Sequence, residues 1–200
     1  MEESTSREKV LKKIRDALID KTDLPYPVLD MESSVFLPVS DSLDVLFAEE
    51  FVKAGGKFVY CESVDEFLSN LQSFILQNNW PVVTCPDSLL QQILRDGGIP
   101  FESAEGSENK DIIAIHRCEA LIARTGSVML SSQLLSFRKS VPMPQYHLVL
   151  AYASQLVPDL KSALQHLRKR YPDRFPADIT LITGHELYLF FIDDTPVSGQ

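Results

Sequence analysis

The residues of this chain whose types and spacing lend themselves to chemistry lie between Asp111 and Ser132. Two apolar runs, Ile112 to Ile115 and Val128 to Leu130, flank a polar interruption (His116, Arg117, Cys118, Glu119), a short apolar segment and then Arg124-Thr125-Gly126-Ser127. Apolar runs of this length around a glycine-containing break read as strand, turn, strand. Gly126 permits a positive φ and close backbone approach, so the N–H groups of the turn can face an anion. Thr125 and Ser127 add hydroxyl donors, and Arg124 adds a fork that pairs bidentately with carboxylate or phosphate. Without a ligand the same residues make an ordinary tight turn. His116, Cys118 and Glu119 are metal-competent types, but on a strand the first two share a face and Glu119 takes the other. No second cluster completes a ligand set, so no metal is expected. Glu119, just ahead of the turn, is the carboxylate placed to act as acid or base.

The run Ile122-Ala123-Arg124-Thr125-Gly126-Ser127-Val128-Met129-Leu130-Ser131-Ser132 resembles the I-A-E-T-G-T-(apolar) signature of the lactate-utilisation (LUD) domain family. Arg138, followed by Val141-Pro142-Met143-Pro144-Gln145-Tyr146-His147-Leu148-Val149, is similar to that family's arginine and Pro-Pro-x-His strand entry. Residues 9–18 and 47–57 are similar to its opening helix and to its first helix with a glycine exit. The resemblance implies an α/β layered sheet with flanking helices, similar to the NagB/RpiA/CoA transferase-like fold. It also implies a subunit working with iron–sulfur partners that oxidise lactate to pyruvate, with no cofactor held by this chain itself. Arg138 becomes a second ligand for a small carboxylate or phosphate.

Two departures bear on that expectation. Arg124 stands where the family carries glutamate, which strengthens an anion site and removes a base. The family's Gly-Pro-Ser loop and second glycine turn near the C-terminus are missing, and Thr183-Gly184-His185 is what remains of the ligand-binding backbone. The short link from Asp178–Ile182 to Leu187–Ile192 suits an antiparallel hairpin turning at Gly184. Other readings are a stand-alone enzyme acting on a sugar phosphate or acyl-CoA, and a degenerate interaction protein that has lost its ligand site.

The elements that must position these residues follow from periodicity. Thr5 and Glu8 form a capping box before a helix carrying Val10, Leu11, Ile14 and Leu18, and Pro25 and Pro27 end that stretch. Leu43, Leu46, Phe47 and Phe51 have helical spacing up to Gly55-Gly56. Residues 57–61 and 80–85 read as strands, with helices opened by Ser63 and Glu66 and by Asp87 or Ser88. Strands follow at 111–115, about 120–123, 127–131 and 146–151. A helix from Pro158 to Tyr171 precedes the last two strands. Helices alternating with short apolar strands argue for a mainly parallel sheet. The whole reads as one domain, 1–200, with 1–24 a peripheral helix.

Composition narrows the function classes. Nineteen basic against 28 acidic residues give −9, the wrong sign for a nucleic-acid binder. Three scattered cysteines without a CxxC argue against a structural zinc or a cluster held by this chain, and for a reduced, cytoplasmic setting. No apolar run approaches the roughly 20 residues that span a bilayer, so no membrane association is expected.

Overall fold

The computed structural model describes residues 6–19, 42–80, 82–103, 113–134 and 144–194. The chain divides into two compact units, Met1–Pro38 and Val39–Gln200. The first contains helix α1 (Ser6–Ile19), whose Val10, Leu11 and Ile14 are exposed. Thr5 lies outside the described residues, as does Arg138.

The second unit is built on two sheets. The larger has six strands in the order β1 (Lys57–Cys61), β10 (Leu187–Ile192), β7 (Tyr146–Tyr152), β4 (Ile113–Arg117), β2 (Val83–Thr84), β3 (Phe101–Glu102), and every pair is parallel. The smaller has the order β8 (Leu156–Val157), β5 (Ala120–Ile122), β6 (Ser127–Ser131), β9 (Ile179–Ile182). There β6 runs antiparallel to both neighbours and β8 parallel to β5. A parallel sheet needs cover on both faces, and the sequence supplies it in layers. Helices α3 (Val64–Gln77) and α4 (Ser88–Asp96) bury Phe67, Leu71, Leu90 and Leu94 against Ile115, Leu150 and Phe190 of the large sheet. Its opposite face carries Val149, Leu189 and Phe191. These meet Phe47 and Phe51 of α2 (Leu43–Lys53) and the inner residues Leu121, Val128 and Leu130 of the small sheet. Helix α5 (Leu160–Arg170) covers the outer face of the small sheet, Ala163 and Leu167 lying over Ala120, Ile122 and Met129.

Helix starts follow local chemistry. Ser63 Oγ accepts from the Glu66 N–H, while Glu66 reaches back to the Glu62 N–H at 2.7 Å. Asp87 accepts from the Leu89 and Leu90 N–H groups and Asp159 from Ser162 N–H. Each such cap satisfies donors that the helix leaves without internal partners.

The expected hairpin between the last two strands does not form. Ile179–Ile182 pairs with β6 in the small sheet, and Leu187–Ile192 lies between β1 and β7 in the large one. Burial explains the separation. All six residues of β10 are buried, as a strand covered on two faces requires, whereas β9, at the edge, is half-buried at Ile179 and Ile182 and exposed at Thr180 and Leu181. The link of Thr183 to Glu186 therefore carries the chain from one sheet to the other. Gly184 does turn with φ +117°, as the sequence suggested.

Candidate functional site

The parallel strands give the domain two distinct ends. At the amino end the structure brings together both glycine-bearing turns singled out in the sequence. Residues Ala123–Thr125 form a 3-10 turn closed by Gly126, and β6 then pairs Val128 with Ile182, which places Ser127 beside Thr183. The two glycines serve different ends. A Cβ on Gly126, at φ +56°, would come within 2.3 Å of the Phe51 backbone nitrogen, so its missing side chain lets the turn seat on α2. A Cβ on Gly184 would meet nothing within 4 Å, so only its backbone angle matters.

Several donors of the turn bond within the fold. Arg124 N–H donates to Pro158 O, Gly126 N–H to Ala123 O, and the Ser127 hydroxyl to Thr125 O. Gly126 and Ser127 are buried, while Thr125, Thr183 and the neighbouring His185 are exposed. The Arg124 side chain lies near Asp159, the cap of α5, and helps hold that carboxyl below its ordinary range, after the Ser162 N–H that contributes most.

The carboxyl end holds the charged groups. Strand β4 ends in Arg117, and the loop after β2 begins the α4 cap Asp87. Between these neighbouring strands the connections diverge, β2 leading outward to β3 and β4 leading back toward β7. Open parallel sheets bind ligands at such a switch point, outside the carboxyl ends. There Arg117 Nε reaches Asp87 Oδ2 at 2.6 Å and Nη2 reaches Oδ1 at 3.1 Å, a bidentate pair with the Asp87 side chain 4% and Arg117 23% exposed. Asp87 thus caps α4 and grips Arg117 by one edge of its guanidinium. Among the described residues the Nη1 edge makes no further hydrogen bond.

A second buried carboxylate holds a second arginine. Glu119, 1% exposed, accepts from the Ser131 hydroxyl and from Tyr171 Oη at 3.0 Å, and Arg170 Nη1 lies 3.2 Å from its Oε2. Glu119 is therefore held by hydrogen bonds from Ser131 and Tyr171 to Oε1 and by the Arg170 charge beside Oε2. It ties the C-terminal end of α5, where Arg168, Lys169 and Arg170 cluster, to the small sheet. Both arginines act on the Tyr171 hydroxyl, whose pKa burial and Glu119 nevertheless push up, and Arg117 acts on Tyr152 as well. Arginines and phenols thus gather at one end of a chain of net charge −9.

Behind them His116, fully buried on β4, shares a hydrogen bond of 2.9 Å with His147 on β7. Burial lowers both pKa values, that of His116 to about 3, so both rings are neutral at physiological pH. Burial pushes the thiols of Cys85 and Cys118 up to about 12, which keeps them protonated. Among the described residues no group of three His, Cys, Asp or Glu side chains converges to hold a metal, and no helix is long and apolar enough to cross a membrane.

Arg117 and Arg170 escaped the sequence reading. Arg117 sat in a polar interruption whose meaning depended on strand order, and Arg170 among dipole-matching helix residues. A charged residue closing an apolar strand of a parallel sheet is the signal that marks the first.

Residues 108–187 match the model of the LUD domain. That segment runs from the approach to β4 to the first residue of β10 and includes Arg117, Glu119, both glycine turns and Arg170. Among solved structures the chain is similar to a DUF162 family protein from Deinococcus radiodurans. The TM-score is 0.60 at 13% identity, over 75% of this chain and 96% of that one, a likeness of fold. It also aligns with ribose 5-phosphate isomerase A from Methanocaldococcus jannaschii, 16% identical over 66% of each chain, at a TM-score of 0.33 that carries no argument. No curated protein matches in sequence.

Proposed function

We propose that this LUD-like chain is a non-redox subunit of a lactate-oxidising assembly, working beside iron–sulfur partners and recognising a small carboxylate at the carboxyl end of its parallel sheet. The observation that carries the reading is Arg117, gripped along its Nε edge by buried Asp87 with its Nη1 edge left to a ligand. A guanidinium fixed in this way is pre-organised for a second planar anion. Arg170 adds charge nearby, and the phenol of Tyr152 is a neutral donor, while that of Tyr171 donates to Glu119. In this reading Arg124, Thr125, Gly126, Ser127, Thr183 and Gly184 frame the site from the far end by locking α2 to the small sheet. The resemblance also assigns Arg138 to the anion as a further ligand. The sugar-phosphate or acyl-CoA alternative calls for a carboxylate base, and Glu119 is held by Ser131, Tyr171 and Arg170.

Titration calorimetry with L-lactate, pyruvate and inorganic phosphate tests the proposal. Lactate should bind the wild type, and Arg117→Lys, which keeps the charge beside Asp87 but loses the fork, should weaken it by on the order of ten-fold. Absence of heat with all three anions at tens of millimolar sinks the anion site. Failure to co-purify with iron–sulfur proteins under lactate induction sinks the subunit role separately.

A further inference from the structure

A cleft of about 530 Å³ opens at the carboxyl edge of the large sheet, between β1, β10 and the start of α2. That volume falls in the range of small-molecule sites. Phe58, Tyr60 and Phe191 form one wall, Leu43 and Ala48 of α2 the other, and Asp44 and Asp193 stand among them. The wall is continuous, since the Phe191 ring centroid lies 5.5 Å from that of Phe58 and 6.3 Å from that of Tyr60. We propose that this cleft binds an organic cation with an apolar body, an aromatic or branched amine or quaternary ammonium.

The chemistry of the lining selects that class. Rings offer their negative faces to a weakly hydrated cation and their surface to its hydrocarbon. A small metal ion keeps its water, and a wall this apolar gives it nothing in exchange. An anion is excluded by the two carboxylates. Asp44 is ionised, because the Ser42 hydroxyl holds its carboxyl below the ordinary range, and it offsets the positive end of α2 that would otherwise face the cleft. Tyr60 stays a neutral phenol, pushed up by burial and by the charge of Asp193. The net charge of −9 draws cations toward the surface. Sign and lining thus oppose those of the arginine site, and the two sites take different ligands.

Titration of the full chain with benzyltrimethylammonium, followed by calorimetry and by amide chemical shifts, tests the assignment. Binding should be saturable, with shifts concentrated at Leu43 to Ala48, Phe58, Tyr60 and Asp193. Benzyl alcohol and phenylacetate, which keep the ring but not the positive charge, should bind at least ten-fold more weakly. Asp193→Asn, at an exposed position, should weaken the cation about ten-fold without changing the fold, and Ala48→Phe should block it by filling the cleft. Equal binding of benzyl alcohol, preference for phenylacetate, indifference to both substitutions, or no binding of the cation would each overturn the proposal.

Discussion

The two ends of the large sheet differ in what a conspicuous residue does there. At the amino end, the glycine turn most visible in the sequence is spent on packing. Its amides donate within the chain and Gly126 lies against the α2 backbone. At the carboxyl end, residues unremarkable in sequence acquire paired charge because strand order brings them together. Asp87 and Arg117 are 30 positions apart and Glu119 and Tyr171 are 52 apart, yet each pair is in contact. A recurrent motif can therefore mark a join between layers, while the groups able to hold a ligand are assembled by topology.

The sharpest test of that contrast is at the glycines. Gly126→Ala must strain the left-handed backbone and push a methyl into α2, and should cost about 3–5 kcal/mol in urea unfolding. Gly184→Ala meets open space and should cost only the backbone strain, ~1–2 kcal/mol. Equal losses would mean that the two turns are equivalent after all.

At the carboxyl end, Asp87→Asn keeps a helix cap but leaves Arg117 without its counter-charge. The expected loss is about 2–3 kcal/mol, below that of a fully buried pair because Arg117 is partly in water. Lactate binding should fall with it, since the guanidinium is no longer held. A variant of unchanged stability and affinity would show the pair to be incidental.

The histidine pair gives a pH signature. His116 has a folded pKa of about 3 against an ordinary value of 6.5, and that of His147 is lowered too. Between those values the unfolded chain binds more protons than the folded one. Stability is therefore complete above about pH 6.5 and declines as pH falls toward 3, by up to ~1.4 kcal/mol per pH unit for His116, with His147 acting in the same direction. Replacing both, His116→Leu with His147→Leu, should flatten the slope between pH 6.5 and 5. An unchanged slope would assign it to the carboxylates.

The smallest effect is expected at Arg124. Arg124→Gln should leave lactate affinity within ~0.5 kcal/mol of wild type, as a substitution remote from the ligand does. A ten-fold loss would move the anion site back to the glycine turn.

What the sequence made legible was local. Apolar spacing and caps at Ser63, Asp87 and the glycines placed nearly every helix and strand of the second unit, because these depend on neighbours a few residues away. Strand partners were not legible. Asp178–Ile182 and Leu187–Ile192 both looked like buried strands with a turn between them. Nothing local said that one was an edge strand of the small sheet and the other central to the large one. The surroundings of the candidate site residues were hidden for the same reason. Arg124 and Glu119 were visible beside the motif, whereas their partners, Asp159 for one and Ser131, Tyr171 and Arg170 for the other, are defined by the packing of α5.

The placement of β10 has a consequence for the order in which the molecule assembles. During synthesis β1 precedes its neighbour in the sheet by a long stretch of chain, the contact of Lys57 and Tyr188 spanning 131 positions. Until then β1 and β7 cannot join, and the apolar faces of α2 and α3 have an incomplete sheet to rest on. Closure of so long a loop is slow, so the nascent chain carries a vacant slot beside β7 until β10 emerges. Insertion of this one apolar strand then joins β1 to the four strands on its other side.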